Sequence, residues 1–452
     1  MESLVAAAMD STASEKSELR PSILDSLGIL ANSYIPQLSP RAPSSIENIW
    51  HKLSRILVVV AFGDLIAAVY YFWNSVYLGK PYPYNSFLSV PWDRFTDYDN
   101  MILMCRNLNP YQDFSRSGYP PFANLFYYCF SPFPIRIGDI VFLIPPVAFI
   151  SWITFRELKG LPITKTLFVL FFISIFSYPF LYAFDRGNLE LYLLIAVGTF
   201  LLFYESNDPI LKNLSCIALA AAIGLKIYPA VFLLILFKDR RFREIVTVLL
   251  LCEVLTVGSA CAFVGGAQNA LLDLTEIIGE TGRLLHDRLS FAHGNSGIFY
   301  GTVIVLKVFN LNSALEWFYQ NYRLIASLLF IFYSAAILRA RINLWESAVC
   351  VTCLFCLIPS LSNDYRTLQF TVPLLLFVTS ATARNIRTSI ASIVFGLLLV
   401  PRNYWILLPD VGPGDVGIGS VITPCLLLLL LNVVLFMSSP RMNLAWDSRQ
   451  RV

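Results

Sequence analysis

Three carboxylates, Asp93, Asp97 and Asp99, lie close together in residues 79–136, a segment between two apolar stretches of the chain. A carboxylate at the mouth of an apolar helix can act as a general base or bind a cation. The alternative is structural: Asp93 would stabilise a loop turn and Asp97 would cap a helix that begins at Tyr98, because Asp is a preferred N-cap residue. The residue pattern leaves both interpretations open.

Three cations form a second group of candidates. Arg186, Lys226 and Arg366 each stand in a short polar turn between apolar stretches. Cations at the edge of an apolar segment can bind a phosphate group. The alternatives are an ion pair of Arg186 with Asp185, an ion pair of Arg366 with Asp364, and contact of the Lys226 ammonium group with lipid phosphate.

The same polar segments contain further candidates for substrate contact. Tyrosine rings can stack on a sugar or an isoprenoid, and a histidine can do acid/base work. These candidates are Asp93, Asp99, Tyr98, Tyr111, Tyr119, Asn188, His293, Asn295, Asp364 and Tyr365. Around His293 and Asn295 the sequence equally indicates a turn and a helix cap. No cluster of metal ligands is recognisable, so we predict neither a metal nor a cofactor.

The composition indicates an integral membrane protein. Of the 452 residues, 56% are hydrophobic and 14% are charged, which is too little polar surface to cover a water-soluble globule. The net charge of +3 provides no positive surface for nucleic acid. We therefore expect membrane lipid as a partner and do not expect nucleic acid.

The apolar stretches predict an all-α fold, a polytopic bundle of about twelve transmembrane helices, because a bilayer core requires roughly 20 apolar residues per helix. Ten windows qualify: 55–78, 137–155, 165–183, 189–204, 244–264, 321–338, 345–360, 366–380, 388–400 and 418–437. The stretch 212–237 contains Lys226 and Pro229. Dividing it at Lys226 into two short spans keeps the cation out of the membrane interior.

Loop charges predict the orientation of the bundle. Basic clusters such as 238–243 fall on one side, which we assign to the cytoplasm together with both termini. The outer face then receives two larger loops, 79–136 and 265–320, and the turns that hold the candidate cations. The apolar stretch 298–309 is predicted to be interfacial or re-entrant, because a further span there would invert the later charge pattern.

These assignments predict the organisation of the chain. Residues 1–52 would form a disordered cytoplasmic arm, residues 53–437 the transmembrane domain, and residues 438–452 a cytoplasmic tail. The expected location is a cell membrane, either the inner or plasma membrane or, in a eukaryote, the endoplasmic reticulum membrane.

An ordered string of short motifs over roughly residues 55–437 resembles glycosyltransferase family 87. The motifs are Thr96-Asp97-Tyr98, Asn109-Pro110-Tyr111, Tyr119-Pro120-Pro121-Phe122, Arg186-Gly187-Asn188, Gly224-Leu225-Lys226-Ile227-Tyr228-Pro229, Gly294-Asn295-Ser296, Pro359 and Asp364-Tyr365-Arg366. The resemblance implies a GT-C type membrane enzyme that uses a polyprenyl-phosphate sugar on the outer face, with Asp97 as the general base. Many members have a Trp and a His where this chain has Asn363 and Asp364, so the role of that His does not transfer.

The implied reaction moves a hexose or pentose from a polyprenyl-phosphate donor to a lipid-linked or glycan acceptor, with inversion. Mannose is the family's best-known donor sugar. Arg186, Lys226 and Arg366 would stabilise the negative charge that develops on the phosphate leaving group. A transporter or a lipid-linked-sugar flippase is the alternative, since many spans with a broken helix are typical of transporters. Against a transporter, no repeat relates the two halves of the chain.

Overall fold

The computed structural model describes residues 45–88, 93–111, 116–287, 295–380, 385–406 and 416–437. In this part of the chain the architecture is a bundle of helices, as predicted. Its one strand pair is short and antiparallel, β1 (Trp405–Ile406) with β2 (Val416–Gly417).

The first half of the bundle runs from α1 to α9. In chain order the helices are α1 (Ile46–Phe72, continued as a π-helix over Trp73–Tyr77), α2 (Thr96–Cys105), α3 (Pro121–Tyr128), α4 (Ile135–Glu157), α5 (Ile163–Val169, continued as a π-helix over Leu170–Ile175), α6 (Tyr178–Arg186), α7 (Glu190–Phe203), α8 (Pro209–Leu225), a 3-10 helix (Tyr228–Phe232) and α9 (Leu233–Lys238).

The second half runs from α10 to α17. Its helices are α10 (Phe242–Ala260), α11 (Gly266–Asp287), α12 (Ile298–Val308), α13 (Asn312–Arg339), α14 (Leu344–Leu357), a 3-10 helix (Asp364–Phe370), α15 (Thr371–Thr379), α16 (Ile386–Leu399) and α17 (Gly419–Phe436).

Helix length and hydropathy identify a membrane protein. Within the described ranges, four helices are long and apolar enough to cross a bilayer: α1 with its continuation, α4, α13 and α17. The segment Ile163–Ile175 and α6 meet the same criterion as one span bent by 55°. Shorter apolar helices occupy most of the other predicted windows. The number of spans, their orientation and the re-entrant path of α12 stay predictions.

The predicted division at Lys226 is present in the structure. α8 ends at Leu225, Lys226 is extended (φ −150°, ψ 136°), and the chain resumes as the 3-10 helix Tyr228–Phe232. Pro229 has no backbone N–H and therefore cannot continue the hydrogen-bond ladder of α8. The break leaves the Lys226 side chain at the end of α8.

The first helix begins earlier than its apolar window. Ser45 caps it by accepting a hydrogen bond from the Asn48 backbone N–H at 3.2 Å. Residues 46–52, assigned from the sequence to the arm, therefore belong to α1. Lys52 is buried and donates to the backbone oxygens of Phe377 at 3.0 Å and Ser380 at 2.7 Å, so it satisfies carbonyls at the end of α15. Residues 1–44 and the tail 438–452 lie outside the described ranges.

Three polar segments meet in the bundle: the start of α2, the end of α6 and the 3-10 helix Asp364–Phe370. The backbone N–H of Phe95, just before α2, donates to the Asp185 backbone oxygen at 2.8 Å, and the 3-10 helix Asp364–Phe370 packs against α6 and α7. Gly187 ends α6 with φ +61°, and a Cβ there would lie 2.8 Å from the Cβ of Tyr98. A residue with a side chain would push α2 away, so this glycine permits the close approach of the start of α2 to the end of α6.

Candidate active site

Asp97 lies in the first turn of α2 but does not cap the helix. α2 begins at Thr96, and the N-cap residue Phe95 makes no capping hydrogen bond through its side chain. The Asp97 carboxylate instead accepts from Arg186 on Oδ1 and from Nδ2 of Asn188, at 2.6 Å, on Oδ2. Asp97 therefore does not cap α2. Its side chain instead connects the start of α2 to the end of α6.

Arg186 bridges two carboxylates. Its Nη1 donates to Asp93 and its Nη2 donates to Asp97. The alternative partner considered from the sequence, Asp185, instead lies 3.4 Å from Nε of Arg94. Asp93 also accepts from the Thr96 hydroxyl at 2.7 Å, so Asp93 both supports the turn before α2 and holds Arg186.

Asn188 connects this carboxylate pair to Lys226. The Asn188 side chain is fully buried; its Nδ2 donates to Asp97, and its Oδ1 accepts from Lys226 Nζ at 3.1 Å. The Lys226 ammonium group lies 5.5 Å from the ring centroid of Tyr119 and 5.7 Å from that of Tyr365. The Lys226 ammonium group therefore lies beside three predicted substrate contacts: Asn188, Tyr119 and Tyr365.

Glu190 is a member of this site that the sequence analysis missed. Its carboxylate is fully buried and accepts from Lys226 Nζ at 3.0 Å. It also accepts from the Tyr228 hydroxyl and from Gln369 Nε2, the latter at 3.0 Å. One signal was available, because Glu190 is an ionisable residue within the apolar window 189–204, and such residues usually have a partner.

Arg366 completes the group. Its Nε lies 4.0 Å from a Glu190 oxygen, and its guanidinium is 3.9 Å from the ring centroid of Tyr228. Arg366 Nη1 is buried, and within the described ranges no hydrogen-bond partner faces it. Arg366 therefore has an unused donor. Its carboxylate partner is Glu190, and not Asp364 as considered from the sequence.

These side chains form one continuous set, which we name the open network. Its members are Asp93, Asp97, Arg186, Asn188, Lys226, Glu190 and Arg366. Exposure falls along it, from 41% of the Asp93 side chain to 19% for Asp97 and 0% for Glu190. Its charges are separated, since two carboxylates and one cation stand at the exposed end and two cations and one carboxylate at the buried end.

An apolar cavity of about 420 Å³ adjoins the buried end of the network. Its walls include Tyr228 and Phe355, the two rings nearest the Arg366 guanidinium. The remainder of the lining is aliphatic and aromatic, for example Leu234, Phe330 and Ile358. In the described part of the chain the lining contains no charged side chain, so the cavity itself suits a hydrocarbon group.

Two of the predicted stacking tyrosines lie in the packed interior instead. The Tyr98 ring is fully buried beside Phe142, with a centroid separation of 4.9 Å. The Tyr111 ring packs on Phe263, and its hydroxyl donates to the Tyr119 backbone oxygen at 2.9 Å. Both rings hold the loop segments to the bundle, because large aromatic side chains bury readily against one another.

Asp99 does not join the open network. One of its oxygens is buried without a hydrogen-bond partner among the described residues. Burial raises the pKa of Asp99, while the nearby Arg136 opposes that rise. Its position two residues after Asp97 places it on a different side of α2.

Asp364 belongs to a separate buried group, which we name the sealed cluster: Asp364, Tyr178, Arg402, Asn403 and Thr423. Asp364 is fully buried. It accepts from the Tyr178 hydroxyl at 3.2 Å and from the Thr423 hydroxyl at 3.4 Å, and it lies 3.9 Å from Arg402 Nη2. The predicted substrate contact of Asp364 is therefore at odds with its position, which is inside the packing of α6, α16 and α17.

Asn295 forms the turn that the sequence offered as its alternative role. It is fully buried, and its Oδ1 accepts from the Gly297 backbone N–H at 2.8 Å, just before α12. It also forms an isolated antiparallel bridge with Asn363. His293, the other candidate of this segment, lies outside the described residues.

Comparison with known protein families places part of the chain in one of them. The model of glycosyltransferase family 87 matches residues 118–360, more than half of the 452 residues. No curated protein and no solved structure matches the chain. The matched range contains Arg186, Asn188, Glu190 and Lys226, whereas Asp97 and Arg366 lie outside it.

Proposed function

Because the chain belongs to glycosyltransferase family 87, we propose that this membrane glycosyltransferase moves a sugar from a polyprenyl-phosphate donor to an acceptor hydroxyl at the open network. The observation that supports this proposal is the link from Asp97 through Asn188 to Lys226. It puts a carboxylate and a cation on opposite ends of one amide group. A displacement at a sugar carbon needs a base on one side and a stabilised leaving group on the other.

Asp97 is the proposed general base. Its two hydrogen bonds, from Arg186 and Asn188, fix the orientation of the carboxylate. A carboxylate has about four lone-pair sites, so two remain for the proton of an acceptor hydroxyl. Because Arg186 is already bound to two carboxylates, we assign it to orienting Asp97, and this replaces its expected role at the phosphate.

Lys226 and Arg366 are the proposed phosphate ligands. Lys226 donates to two acceptors in the described part of the chain and has three ammonium protons. Arg366 has the unused Nη1. As the bond from the anomeric carbon to the phosphate oxygen breaks, both cations would stabilise the charge on that oxygen.

The proposed reaction balances as a single displacement. The acceptor oxygen bonds to the anomeric carbon, its proton passes to Asp97, and the polyprenyl phosphate departs with the bonding electron pair. Attack on the side opposite to the leaving group inverts the anomeric configuration. The apolar cavity beside Tyr228 supports a hydrocarbon-linked donor, and the charge pattern of the loops supports the outer face as the side of the reaction.

A transfer assay on the purified protein in lipid nanodiscs tests this proposal. Radiolabelled mannose, glucose and arabinose are each supplied as polyprenyl phosphates and as nucleotide diphosphates, with a panel of glycolipid acceptors. We expect transfer from one polyprenyl phosphate, with mannose as the first choice, and none from the nucleotide sugars. Transfer from a nucleotide sugar would refute the donor class. Absence of transfer, together with movement of the intact lipid-linked sugar across the bilayer of proteoliposomes that contain the protein, would support a flippase.

A further inference from the structure

Glu190 is the one carboxylate at the buried end of the open network. We infer that Glu190 is a positioning residue that sets the net charge of the donor-phosphate site and thereby favours donors with one phosphate group over donors with two. This inference rests on the proposed function. It is independent of which sugar is transferred.

The contacts of Glu190 fix its carboxylate from several sides. One oxygen faces Lys226 Nζ at 3.0 Å and Arg366 Nε at 4.0 Å, and it also accepts from the Tyr228 hydroxyl. The other oxygen accepts from Gln369 Nε2 at 3.0 Å. A carboxylate held in this way keeps both cations at fixed positions around it, and Asn188 holds Lys226 from a further side.

The charge count follows from these contacts. Lys226 and Arg366 with Glu190 leave one net positive charge at the buried end. One net negative charge lies at the exposed end, where Asp93 and Asp97 both pair with Arg186 and the Asp93 side chain is 41% exposed. The nearby Asp364 is paired with Arg402, so the sealed cluster adds no net charge.

A single positive charge suits a single negative one. A sugar joined to a lipid through one phosphate is a diester with one negative charge, whereas a diphosphate linkage has at least two. In a buried site an uncompensated charge is costly, and a mismatched charge is a general means of excluding the wrong ligand. Without Glu190 the two cations would instead match a diphosphate.

Binding of two unreactive probes tests the inference on the full-length protein in nanodiscs. The probes are farnesyl methyl phosphate, a diester, and farnesyl diphosphate, and the readout is the ratio of their dissociation constants. We expect the unaltered protein to favour the diester, and Glu190→Gln to move the ratio about tenfold toward the diphosphate, the size of one charge-assisted contact. Glu190→Asp, which retains the charge, should weaken the binding of both probes and preserve the ratio of their dissociation constants.

Two further variants make the test decisive. Lys226→Met removes one cation and should move the ratio in the opposite direction, and it decides the matter if Glu190→Gln does not fold. Glu346→Gln is the matched control, because Glu346 is also buried and pairs with an arginine, Arg387 at 2.5 Å, at the start of α14. Its ratio should equal that of the unaltered protein.

The outcomes separate the two proposals. An unchanged ratio in folded Glu190→Gln, or in Lys226→Met where Glu190→Gln does not fold, would overturn the role of Glu190. It would leave the proposed function intact if the unaltered protein still transfers sugar from lipid phosphates. Failure of the unaltered protein to bind either probe or to use any lipid-phosphate sugar would overturn the proposed function itself.

Discussion

The open network and the sealed cluster contain the same kinds of residue and use them differently. Each has buried carboxylate and arginine groups at the same end of the bundle. In the sealed cluster, Arg402 donates to the backbone oxygens of Leu398 at 2.6 Å and Val400 at 3.2 Å and to the Thr423 hydroxyl at 3.0 Å. In the open network, the contacts of Arg186 run to two carboxylates that are partly exposed.

The difference separates a structural role from a chemical one. Arg402 satisfies carbonyls at the end of α16 and connects that helix to α17, so it has the role of a helix cap. The open network connects few backbone groups and extends from the surface to the interior. Burial and charge alone therefore do not distinguish the two groups; the partial exposure of Asp93 and Asp97 does.

The largest expected effect on rate is that of Asp97→Asn. Loss of a general base typically lowers kcat by about a hundredfold to ten-thousandfold. We expect that loss with an unchanged donor KM, measured per folded molecule. The melting temperature should fall, because Asn has only one side-chain oxygen to accept from Arg186 and Asn188. The neighbouring variant Asp99→Asn is the control and should turn over normally. Loss of turnover in Asp99→Asn alone would move the base to that residue.

The largest expected effect on stability is that of Asp364→Ala. Removing one partner of a buried ion pair costs about 3–5 kcal/mol, so we expect a much lower melting temperature. Transfer activity per folded molecule should be retained, because the sealed cluster is not assigned to the reaction. A variant with normal stability and no activity would place Asp364 at the substrate and erase the distinction between the two groups.

Lys226→Ala tests the buried end of the open network. A charge-assisted contact to phosphate contributes about 1.5–3 kcal/mol, so the donor KM should rise by about one to two decades. Lys226→Arg should recover part of that affinity, because it retains the charge but changes the geometry. Donor binding that is unchanged in folded Lys226→Ala would leave the lysine with only its contacts to Asn188 and Glu190.

Tyr111→Phe sharpens the boundary of the site. It removes only the hydroxyl group that donates to the Tyr119 backbone oxygen, which corresponds to about 0.5–1.5 kcal/mol of stability. We expect a slightly lower melting temperature and unchanged KM values for donor and acceptor. A higher KM with an unchanged melting temperature would return Tyr111 to the substrate.

The smallest expected effect is the pH dependence of Asp99→Asn. Burial raises the pKa of Asp99 in the folded protein, so the folded state holds this proton more tightly than the unfolded state. Asp99 then opposes folding increasingly as the pH rises above its unfolded value, about 3.9. Asp99→Asn should raise the melting temperature at neutral pH, and the difference should vanish below pH ~4. A difference of equal size at both pH values would exclude titration as its cause.

The sequence predicted the all-α fold and the break at Lys226, because both depend on local composition; the count of about twelve spans stays a prediction. It also singled out Asp97, Asn188 and Lys226, which hydrogen bonds join in the structure; their roles stay predictions. It did not identify Glu190, whose importance depends on Gln369 and Arg366 approaching from a segment about 180 residues later. Nor could the sequence show that Asp364 and Arg366 belong to different groups. They are two residues apart in a 3-10 helix, yet the Asp364 side chain lies among α16 and α17 and the Arg366 side chain lies beside α7.

We propose that the open network binds the donor with its phosphate at the buried end and its sugar toward Asp97. The most direct test is an experimental structure of the protein in a nanodisc with an unreactive polyprenyl-phosphonate sugar. We predict that the phosphonate oxygens lie within hydrogen-bond distance of Lys226 and Arg366. The hydrocarbon chain should lie along the cavity beside Tyr228, and the anomeric carbon between the phosphonate and Asp97. A headgroup bound away from Lys226 and Arg366, or one whose sugar faces away from Asp97, would contradict this proposal.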